Sequence, residues 1–285
     1  SYMEPRTKNE LKEEYGMKKV SYDGGRTTVA QLRSLQEACE GVEFVDVPAL
    51  CDELRRVKTP MEIESIRTAQ AITDAAFTHI LDFINPDRTE LEVALELEFF
   101  MRAHGSEGTA FETIAVSGSN SSRPHGTPRD VKLEKGFFTM DFGARVDGYC
   151  ADMTRTVVIG KADDEMKRLY YTVLEAQTAA LKSLHAGMKC ADADKIARDV
   201  IDNAGYQGCF GHSLGHGVGL FIHESPRLAG MMPDTEILRP GHVVTVEPGI
   251  YIEGKYGVRI EDLVLVTEDG HELLNHVDKK WKIIG

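Results

Sequence analysis

Apolar residues recur at helical spacing over two stretches in the first half of the chain. From Ile63 to Phe83 they stand three or four positions apart, and a second such pattern follows Thr89. Each stretch opens on a threonine with a glutamate three residues later, which is the signature of a capping box. The pattern therefore predicts helices that begin after Thr59 and Thr89, the first of which ends before Asn85-Pro86.

Further helices and apolar strands follow in separate blocks. Helical spacing predicts helices over 163–185 and 193–204, and short apolar runs predict strands over 113–116, 137–141, 152–159, 243–247 and 258–266. The third of these strands is expected to pair with the second, and residues 248–257 are typical of a turn-rich connection. Because the elements do not alternate as regular βαβ units, the pattern favours an α+β fold over a doubly wound sheet.

The first 57 residues contain few elements. The pattern predicts helices over 8–15, 29–39 and 48–57 and strands over 18–22 and 42–47. The two strands and the two short helices before residue 48 leave apolar faces uncovered and are marginal alone, and the third helix serves as the connection to the next domain. We therefore interpret residues 1–57 as the C-terminal portion of a truncated α/β N-terminal domain, and residues 58–285 as the main domain.

The amino-acid composition limits which partners the protein can bind and in which cellular compartment it is expected. The 285 residues carry a net charge of −13, which argues against nucleic acid and anionic membrane surfaces as partners. No apolar run approaches the roughly 20 residues that span a bilayer, and no secretory leader is visible. The five cysteines are odd in number, widely spaced and without a CxxC motif. These features favour a reducing, cytoplasmic setting.

Four carboxylates lie on or beside apolar strands. They are Asp141, Asp152, Glu247 and Glu261. Burying one ionised carboxylate costs several kcal/mol, so four would be untenable without cations. Each acid alone is equally well explained by an exposed strand face or by a salt bridge, for which Arg155 and Arg259 are available. Four carboxylates would neutralise two divalent ions, which can form a hydrolytic pair about 3.5–4 Å apart.

Three histidines lie among glycines in the segment GHSLGHGVGLFIHE, residues 211–224. His212, His216 and His223 are four and seven residues apart. Imidazole suits both proton transfer and borderline metal ions. The glycines indicate a tight turn or a strand that its neighbour approaches closely. A glycine-rich bend with incidental histidines is the alternative, and the acids elsewhere in the chain weigh against it.

The order of motifs resembles a known family. MDFGARVDGYCADMTRT, GHSLGHGVGLFIHESPR, TVEPGIYI and GVRIEDLVLVTEDG are similar to successive signatures of the pita-bread metallopeptidases, from about Lys58 to Asn275. The similarity is strongest to the Xaa-Pro branch, which comprises Xaa-Pro dipeptidase (prolidase) and aminopeptidase P. The resemblance implies a pita-bread fold and a dinuclear-metal exopeptidase that hydrolyses X-Pro bonds with a metal-bridging hydroxide as the nucleophile.

The resemblance also implies a set of metal ligands. Asp141 would bind one ion, Asp152 and Glu261 would bridge both ions, and His216 and Glu247 would hold the second. Oxygen ligands with one imidazole favour two Mn²⁺ ions, with Co²⁺ or Zn²⁺ as alternatives. Glu247 is the expected general base for the attacking water.

Other positions match the family's substrate site. The resemblance implies that His125 and His223 contact the scissile bond and assist proton transfer, and that His212 lies in the substrate pocket. Arg227 would hold the free carboxylate of a dipeptide, and Arg259 would orient the acids. The remaining histidines are interpreted as non-catalytic: His79, His104, His185, His242, His271 and His276.

Several functions remain open beside Xaa-Pro dipeptidase, which Arg227 favours. The first alternative is aminopeptidase P, which acts on longer peptides. A non-catalytic binding module or a metal-free creatinase-like hydrolase on the same fold is disfavoured by the complete ligand set, and the HESPR segment speaks against methionine aminopeptidase. The expected partners are a proline-containing di- or oligopeptide substrate and a second copy of the chain in a homodimer. The incomplete N-terminal domain leaves length selectivity and oligomeric state open.

Overall fold

The computed structural model describes residues 8–47 and 50–285, which form two compact units divided between Arg55 and Arg56. The described elements of the N-terminal unit are helices α1 (Lys8–Tyr15), α2 (Val29–Ala38) and α3 (Leu50–Arg56, which ends at the boundary) and strands β1 (Lys19–Tyr22) and β2 (Glu43–Asp46). The two strands pair in parallel. The first two residues of the helix predicted over 48–57 lie outside the described residues. The interpretation of residues 1–57 as part of a longer domain stays a prediction.

The larger unit contains four described α-helices and most of the strands. The helices are α4 (Pro60–Phe83), α5 (Glu90–Ala103), α6 (Asp164–Ser183) and α7 (Cys190–Asn203). The strands are β3 (Gly108–Thr109), β4 (Ile114–Ser117), β5 (Gly136–Phe142), β6 (Ala144–Val146), β7 (Tyr149–Cys150), β8 (Met153–Ile159), β9 (Gly215–Gly217), β10 (Glu224–Leu228), β11 (Val243–Val246), β12 (Gly249–Ile252), β13 (Tyr256–Arg259), β14 (Asp262–Thr267), β15 (Gly270–Leu273) and β16 (Ile283–Ile284).

Both predicted capping boxes are present. The Thr59 hydroxyl accepts a hydrogen bond from the Glu62 backbone N–H, and the Glu62 carboxylate accepts one from the Thr59 N–H; Thr89 and Glu92 repeat this at α5. Such caps satisfy backbone donors that a helix N-terminus otherwise leaves unpaired. The helix starts are therefore set by local sequence.

Two main sheets carry the chemistry-bearing strands. One has the order β10-β9-β11-β14-β15, and the other has the order β16-β8-β5-β4. As expected, β8 pairs antiparallel with β5, which brings Asp141 opposite Thr154. Helices α4 and α5 share a buried apolar core with β5 and β8, and helices α6 and α7 share another with β11, β13 and β14. Separate helix pairs on a largely antiparallel framework confirm the predicted α+β class.

The structure contradicts the sequence-based prediction in three places. The predicted strand over 258–266 breaks at residues 260–261 into β13 and β14, because the Glu261 N–H leaves its own sheet and donates to the Thr154 carbonyl of β8 at 3.1 Å. The predicted turn-rich connection over 248–257 contains β12, which pairs with β13 as a hairpin. Helix α7 begins at Cys190, three residues before its predicted start.

No helix in the described residues is long and apolar enough to cross a membrane. The expected cytoplasmic setting stays a prediction.

Candidate metal centre

Three of the four predicted acids converge between the two main sheets. Asp141 lies near the end of β5, Asp152 directly precedes β8, and Glu261 lies in the break between β13 and β14. Each offers a carboxylate oxygen within 4.8 Å of the other two, and all three residues are buried. Residues far apart in sequence meet because β5 and β8 are neighbours and Glu261 is hydrogen-bonded to the backbone of β8.

The fourth acid reaches this acid cluster through a histidine. His216 on β9 lies 3.3 Å from Glu247 (Nε2 to Oε1) and 3.6 Å from Asp152 (Nε2 to Oδ2). The Nδ1 of His216 lies 3.1 Å from the Gly217 carbonyl, and an Nδ1–H donated to that oxygen would leave Nε2 free to bind a cation. The structure therefore brings all five predicted ligands to one site.

Glycines allow β9 to approach its neighbours. A Cβ atom at Gly215 would lie 2.0 Å from the Thr245 carbonyl oxygen, and one at Gly217 would lie 2.4 Å from the Ser225 carbonyl oxygen. Any larger residue at either position would clash with backbone. The prediction of a closely approached strand is confirmed, and this packing puts His216 beside Glu247.

The acid cluster carries more negative charge than the neighbouring positive groups of the protein neutralise. Burial raises the pKa of Asp152 and of Glu261 well above the usual carboxyl range, and the neighbouring carboxylates raise both pKa values further. The pKa of Asp141 is also raised by burial, against the opposing effect of the Arg259 guanidinium. For Glu247, burial is outweighed by the hydrogen bond and charge of His216, which lower its pKa to about 2. The cluster is therefore short of positive charge.

One arginine holds the first acid in place. The Arg259 guanidinium, 2% exposed, donates to Asp141 Oδ2 at 2.5 Å, to the Thr154 hydroxyl at 2.9 Å and to the Tyr251 hydroxyl at 2.8 Å. The Thr154 hydroxyl in turn donates to Glu261 Oε2 at 2.6 Å. These contacts fix two carboxylates of the cluster through groups that do not belong to it.

The predicted substrate residues lie around the cluster at different depths. The His223 ring packs edge-on against His216, with centroids 4.4 Å apart, and burial lowers the pKa of His223. The His212 Nε2 lies 2.9 Å from the Tyr251 hydroxyl, and burial lowers the pKa of His212 as well. Arg227 lies opposite His216 in the ladder between β10 and β9, is exposed, and donates to the Ser213 hydroxyl at 3.2 Å.

His125 is an exposed member of the predicted set. It lies in the connection between β4 and β5, directly after Pro124, whose carbonyl accepts a hydrogen bond from Arg259 at 3.1 Å. The backbone before His125 is thus tied to the side chain that also holds Asp141. A cavity of about 310 Å³ borders His212, Ser213 and Arg227.

Comparison with known proteins shows the family. The model of metallopeptidase family M24 matches residues 64–268, which is most of the chain and contains every predicted site residue. The chain belongs to metallopeptidase family M24.

Relatives of this M24 chain have been named and solved. It is 40% identical over 257 residues to the Xaa-Pro dipeptidase of Pyrococcus furiosus, covering 90% of this chain and 73% of that protein. The structure of an Xaa-Pro dipeptidase from Bacillus anthracis matches with a TM-score of 0.92 at 43% identity, covering 97% of this chain and 78% of the other. An X-Pro aminopeptidase from Thermotoga maritima matches with a TM-score of 0.91 at 39% identity and the same coverage. The expected pita-bread fold and metallo-exopeptidase class are confirmed.

The M24 family implies divalent metal ions, and the residues of this chain fit them. Asp141 Oδ1 is buried and has no hydrogen-bond partner among the described residues, while its sister oxygen is held by Arg259. A buried acceptor without a donor is costly unless a cation meets it. Oxygen donors with one imidazole are the ligand set that suits divalent ions such as Mn²⁺.

Several residues that shape the M24 site escaped the sequence-based prediction. Tyr251 was assigned to a turn, although its hydroxyl joins Arg259 to His212 and burial raises its pKa to about 12. Thr154 was considered only as part of a strand. The motifs TVEPGIYI and DMTRT contain both residues, and alternation along a strand from Asp152 would have placed Thr154 on the same face.

Proposed function

We propose that this M24 chain is an Xaa-Pro dipeptidase that hydrolyses the bond before proline with two divalent metal ions. The convergence of Asp141, Asp152 and Glu261 within 4.8 Å, with His216 and Glu247 alongside, is the observation that carries the proposal. Relatives at about 40% identity named Xaa-Pro dipeptidase support the substrate class. Proline forms a tertiary amide without an N–H, so a dedicated site with a strong electrophile is expected.

The proposed ligands divide between two ions. Asp141 would hold one ion, His216 and Glu247 would hold the other, and Asp152 and Glu261 would be shared between them. Four carboxylates balance two divalent charges, and Mn²⁺ is the proposed metal because most ligands are oxygen atoms. When bound, the ions supply Lewis acidity that activates water and polarises the scissile carbonyl.

The chain's own residues supply proton transfer and orientation. Glu247 accepts the proton of the attacking water. His223 and His125 lie on the substrate side; the lowered pKa of His223 leaves its ring neutral and able to relay a proton towards the leaving proline nitrogen. Arg259 opposes the protonation of Asp141 and holds its carboxylate in place, and His212 orders the pocket wall through Tyr251.

Arg227 favours a dipeptidase over an aminopeptidase. Its guanidinium is exposed beside the cavity next to His212 and Ser213, where it can meet a carboxylate. In a dipeptide the carboxylate of proline is free, whereas in X-Pro-Y it is an amide without charge. Aminopeptidase P remains the second candidate, supported by the similarity to the X-Pro aminopeptidase structure.

The test compares X-Pro and X-Pro-Y substrates with the chain stripped by chelator and reloaded with Mn²⁺, Co²⁺ or Zn²⁺. We expect turnover to return with Mn²⁺ and kcat/KM to be higher for X-Pro. Arg227→Ala should lower kcat/KM for X-Pro about tenfold or more and leave X-Pro-Y nearly unchanged. Arg239→Ala is the matched control, because it removes an exposed arginine that makes no hydrogen bond or ion pair with the proposed metal ligands among the described residues. Equal losses on both substrates would favour aminopeptidase P, and metal-independent turnover would contradict the proposal.

The proposed homodimer rests on the family resemblance. Size-exclusion chromatography with light scattering tests it directly: a mass near 63 kDa, about twice the 31.6 kDa of one chain, is the expected result.

A further inference from the structure

A buried glutamate outside the acid cluster anchors the loop between β4 and β5, which carries His125. Glu90, the first residue of α5, is fully buried and receives hydrogen bonds from two ends of that loop. From the β4 end it accepts the Ser117 N–H at 2.7 Å and the Ser117 hydroxyl at 2.8 Å. From the other end it accepts the Arg129 N–H at 3.0 Å, the Arg129 Nε–H at 2.9 Å and an Nη2–H at 2.8 Å.

A third contact comes from within the loop. The Asn120 side chain donates to Glu90 Oε2 at 3.2 Å and to the Thr127 carbonyl at 3.2 Å, so it spans the loop from one side to the other. Burial raises the pKa of Glu90, but the Arg129 and Ser117 hydrogen bonds outweigh it, and the pKa is lowered overall. A fully buried carboxylate is tolerated only when such donors are all in place.

The opposite face of the loop is tied to the acid cluster. Arg259 donates to the Pro124 carbonyl at 3.1 Å and to Asp141 Oδ2 at 2.5 Å, and the Gly257 N–H donates to the Ser121 hydroxyl at 2.9 Å. His125 therefore lies between two anchorages, of which one is shared with the proposed metal ligands and the other is Glu90. The His125 ring itself is exposed and has no hydrogen bond among the described residues.

We infer that Glu90, paired with Arg129, is a positioning residue that fixes the His125 imidazole against the substrate side of the acid cluster. Neither side chain belongs to the site, and both act through the loop backbone. Because the ring has no partner of its own, the loop is what sets its position. A displacement of about 1 Å can cost a hundredfold in rate. The inference rests on the proposed function for the role of His125.

A matched control separates positioning from stability. Asp74 on α4 is also buried and also accepts a backbone N–H, that of His276, together with a Gln70 side-chain donor. It anchors the C-terminal segment and makes no hydrogen bond to the loop between β4 and β5 among the described residues. Asp74→Asn should therefore weaken the fold without moving His125.

The first measurement is a double-mutant cycle on the full chain loaded with Mn²⁺. We expect Glu90→Gln to lower kcat for X-Pro about ten- to hundredfold, like His125→Ala, with metal content and KM changed far less. Combined with His125→Ala, Glu90→Gln should add less than about threefold, because the two changes remove the same contribution. For Asp74→Asn, the fold-change in kcat should instead multiply with the fold-change caused by His125→Ala. A Glu90→Gln effect that multiplies in full would overturn the inference.

The second measurement does not depend on the substrate. In Zn²⁺-loaded protein with labelled histidine, the Cε1–H signal of His125, assigned by its loss in His125→Ala, should shift or broaden in Glu90→Gln and stay in place in Asp74→Asn. An unmoved signal in Glu90→Gln overturns positioning. Failure of the wild-type chain to cleave X-Pro would overturn the proposed function instead, and the His125 signal would still decide whether Glu90 holds the loop.

A second variant covers the case in which Glu90→Gln does not fold. Arg129→Lys keeps the charge of the partner, whose side chain is 38% exposed, but removes its two-pronged contact with Glu90. We expect the same non-additivity with His125→Ala and the same movement of the His125 signal. If Arg129→Lys multiplies with His125→Ala and leaves the signal unmoved, the inference fails.

Discussion

Glu261 and Asp262 are neighbours in sequence and equally buried, yet they have opposite electrostatic surroundings. Each is 1% exposed. Burial and the nearby carboxylates raise the pKa of Glu261, whereas the pKa of Asp262 is lowered because Arg155 and Lys279 outweigh its burial. Successive residues of an extended chain face opposite sides, so the two carboxylates enter different environments.

The difference lies in what each carboxylate receives from the protein. Asp262 accepts hydrogen bonds from Arg155 at 2.7 Å, from Gln177 at 2.8 Å and from Lys279. Glu261 accepts one from the Thr154 hydroxyl, and its charged neighbours are carboxylates as well as the Arg259 guanidinium, whose effect on its pKa is outweighed. A buried acid that the chain neutralises by itself stabilises the fold, and a buried acid left short of positive charge marks a site for a cation.

Replacing Glu261 gives the largest expected effect and tests the cation side of this comparison. Glu261→Gln should lower X-Pro hydrolysis about a thousandfold or more, because it removes a proposed bridging ligand. The same change should leave the metal-free protein at least as stable as wild type, since an uncompensated carboxylate becomes a neutral amide of equal size. Activity assays with metal analysis, and urea unfolding in chelator, measure the two effects. Retained metal with full activity would refute the assignment.

Local sequence signals predicted the metal-binding side of this comparison, to which Glu261 belongs. Asp141, Asp152 and Glu261 were recognisable because an acid at the edge of an apolar strand is conspicuous, and motif order supplied their grouping. The helix starts at Thr59 and Thr89 were equally local, since a capping box involves four consecutive residues. All five proposed ligands meet as expected, while their roles in binding stay predictions.

The structural side of the comparison, to which Asp262 belongs, depends on contacts between residues far apart in sequence, which no local pattern encodes. Asp262 was overlooked because its partners Arg155 and Lys279 come from elsewhere in the chain, and only the fold brings them together. Glu90 was not singled out, because its partners Ser117 and Arg129 also come from elsewhere in the chain. The break of the strand at Glu261 was also missed, because it follows from the hydrogen bond that the Glu261 N–H donates to the carbonyl of Thr154, 107 residues away. The one available sequence signal for these features was the pair of adjacent acids, Glu261 and Asp262, within an apolar run.

Replacing Asp262 tests the compensated side and should have the next largest effect. Asp262→Asn leaves the buried Arg155 and the partly buried Lys279 without their counter-charge, and we expect a loss of about 3–5 kcal/mol in the free energy of unfolding. Metal affinity of the folded protein should change little. Glu272→Gln, which breaks the part-exposed pair with Arg67, is the control and should cost less than about 1 kcal/mol. If Asp262→Asn is no worse than this control in urea unfolding, Asp262 is not the structural acid described here.

The pH dependence of stability should distinguish the two acids in the metal-free protein. The raised pKa values of Asp152 and Glu261 mean that their stabilising contribution is complete below the unfolded value of about 4 and is lost as pH rises through the folded values. Asp262 has a lowered pKa, so its contribution is present above about pH 4 and is lost as pH falls through the folded value.

Urea unfolding in chelator across about pH 5–8 should therefore show stability falling as pH rises. Saturating Mn²⁺ should remove this fall, because the cations favour the ionised carboxylates, and Glu261→Gln should reduce it without metal. A metal-free protein whose stability is flat or rises over this range would contradict the claim that the acid cluster is short of positive charge.

The smallest expected effects come from removing one donor at a time. Thr154→Val takes the hydroxyl from Glu261 and the acceptor from Arg259, and we expect metal affinity to fall about tenfold, as is typical when a contact behind a ligand is lost. Gln177→Met takes one donor from Asp262 and should cost about 1 kcal/mol of stability with no change in metal affinity. Metal titration and urea unfolding of both variants give four numbers. If Gln177→Met weakens metal binding as much as Thr154→Val does, the two acids are one coupled unit, and the distinction between a structural and a metal-binding carboxylate at adjacent positions does not hold.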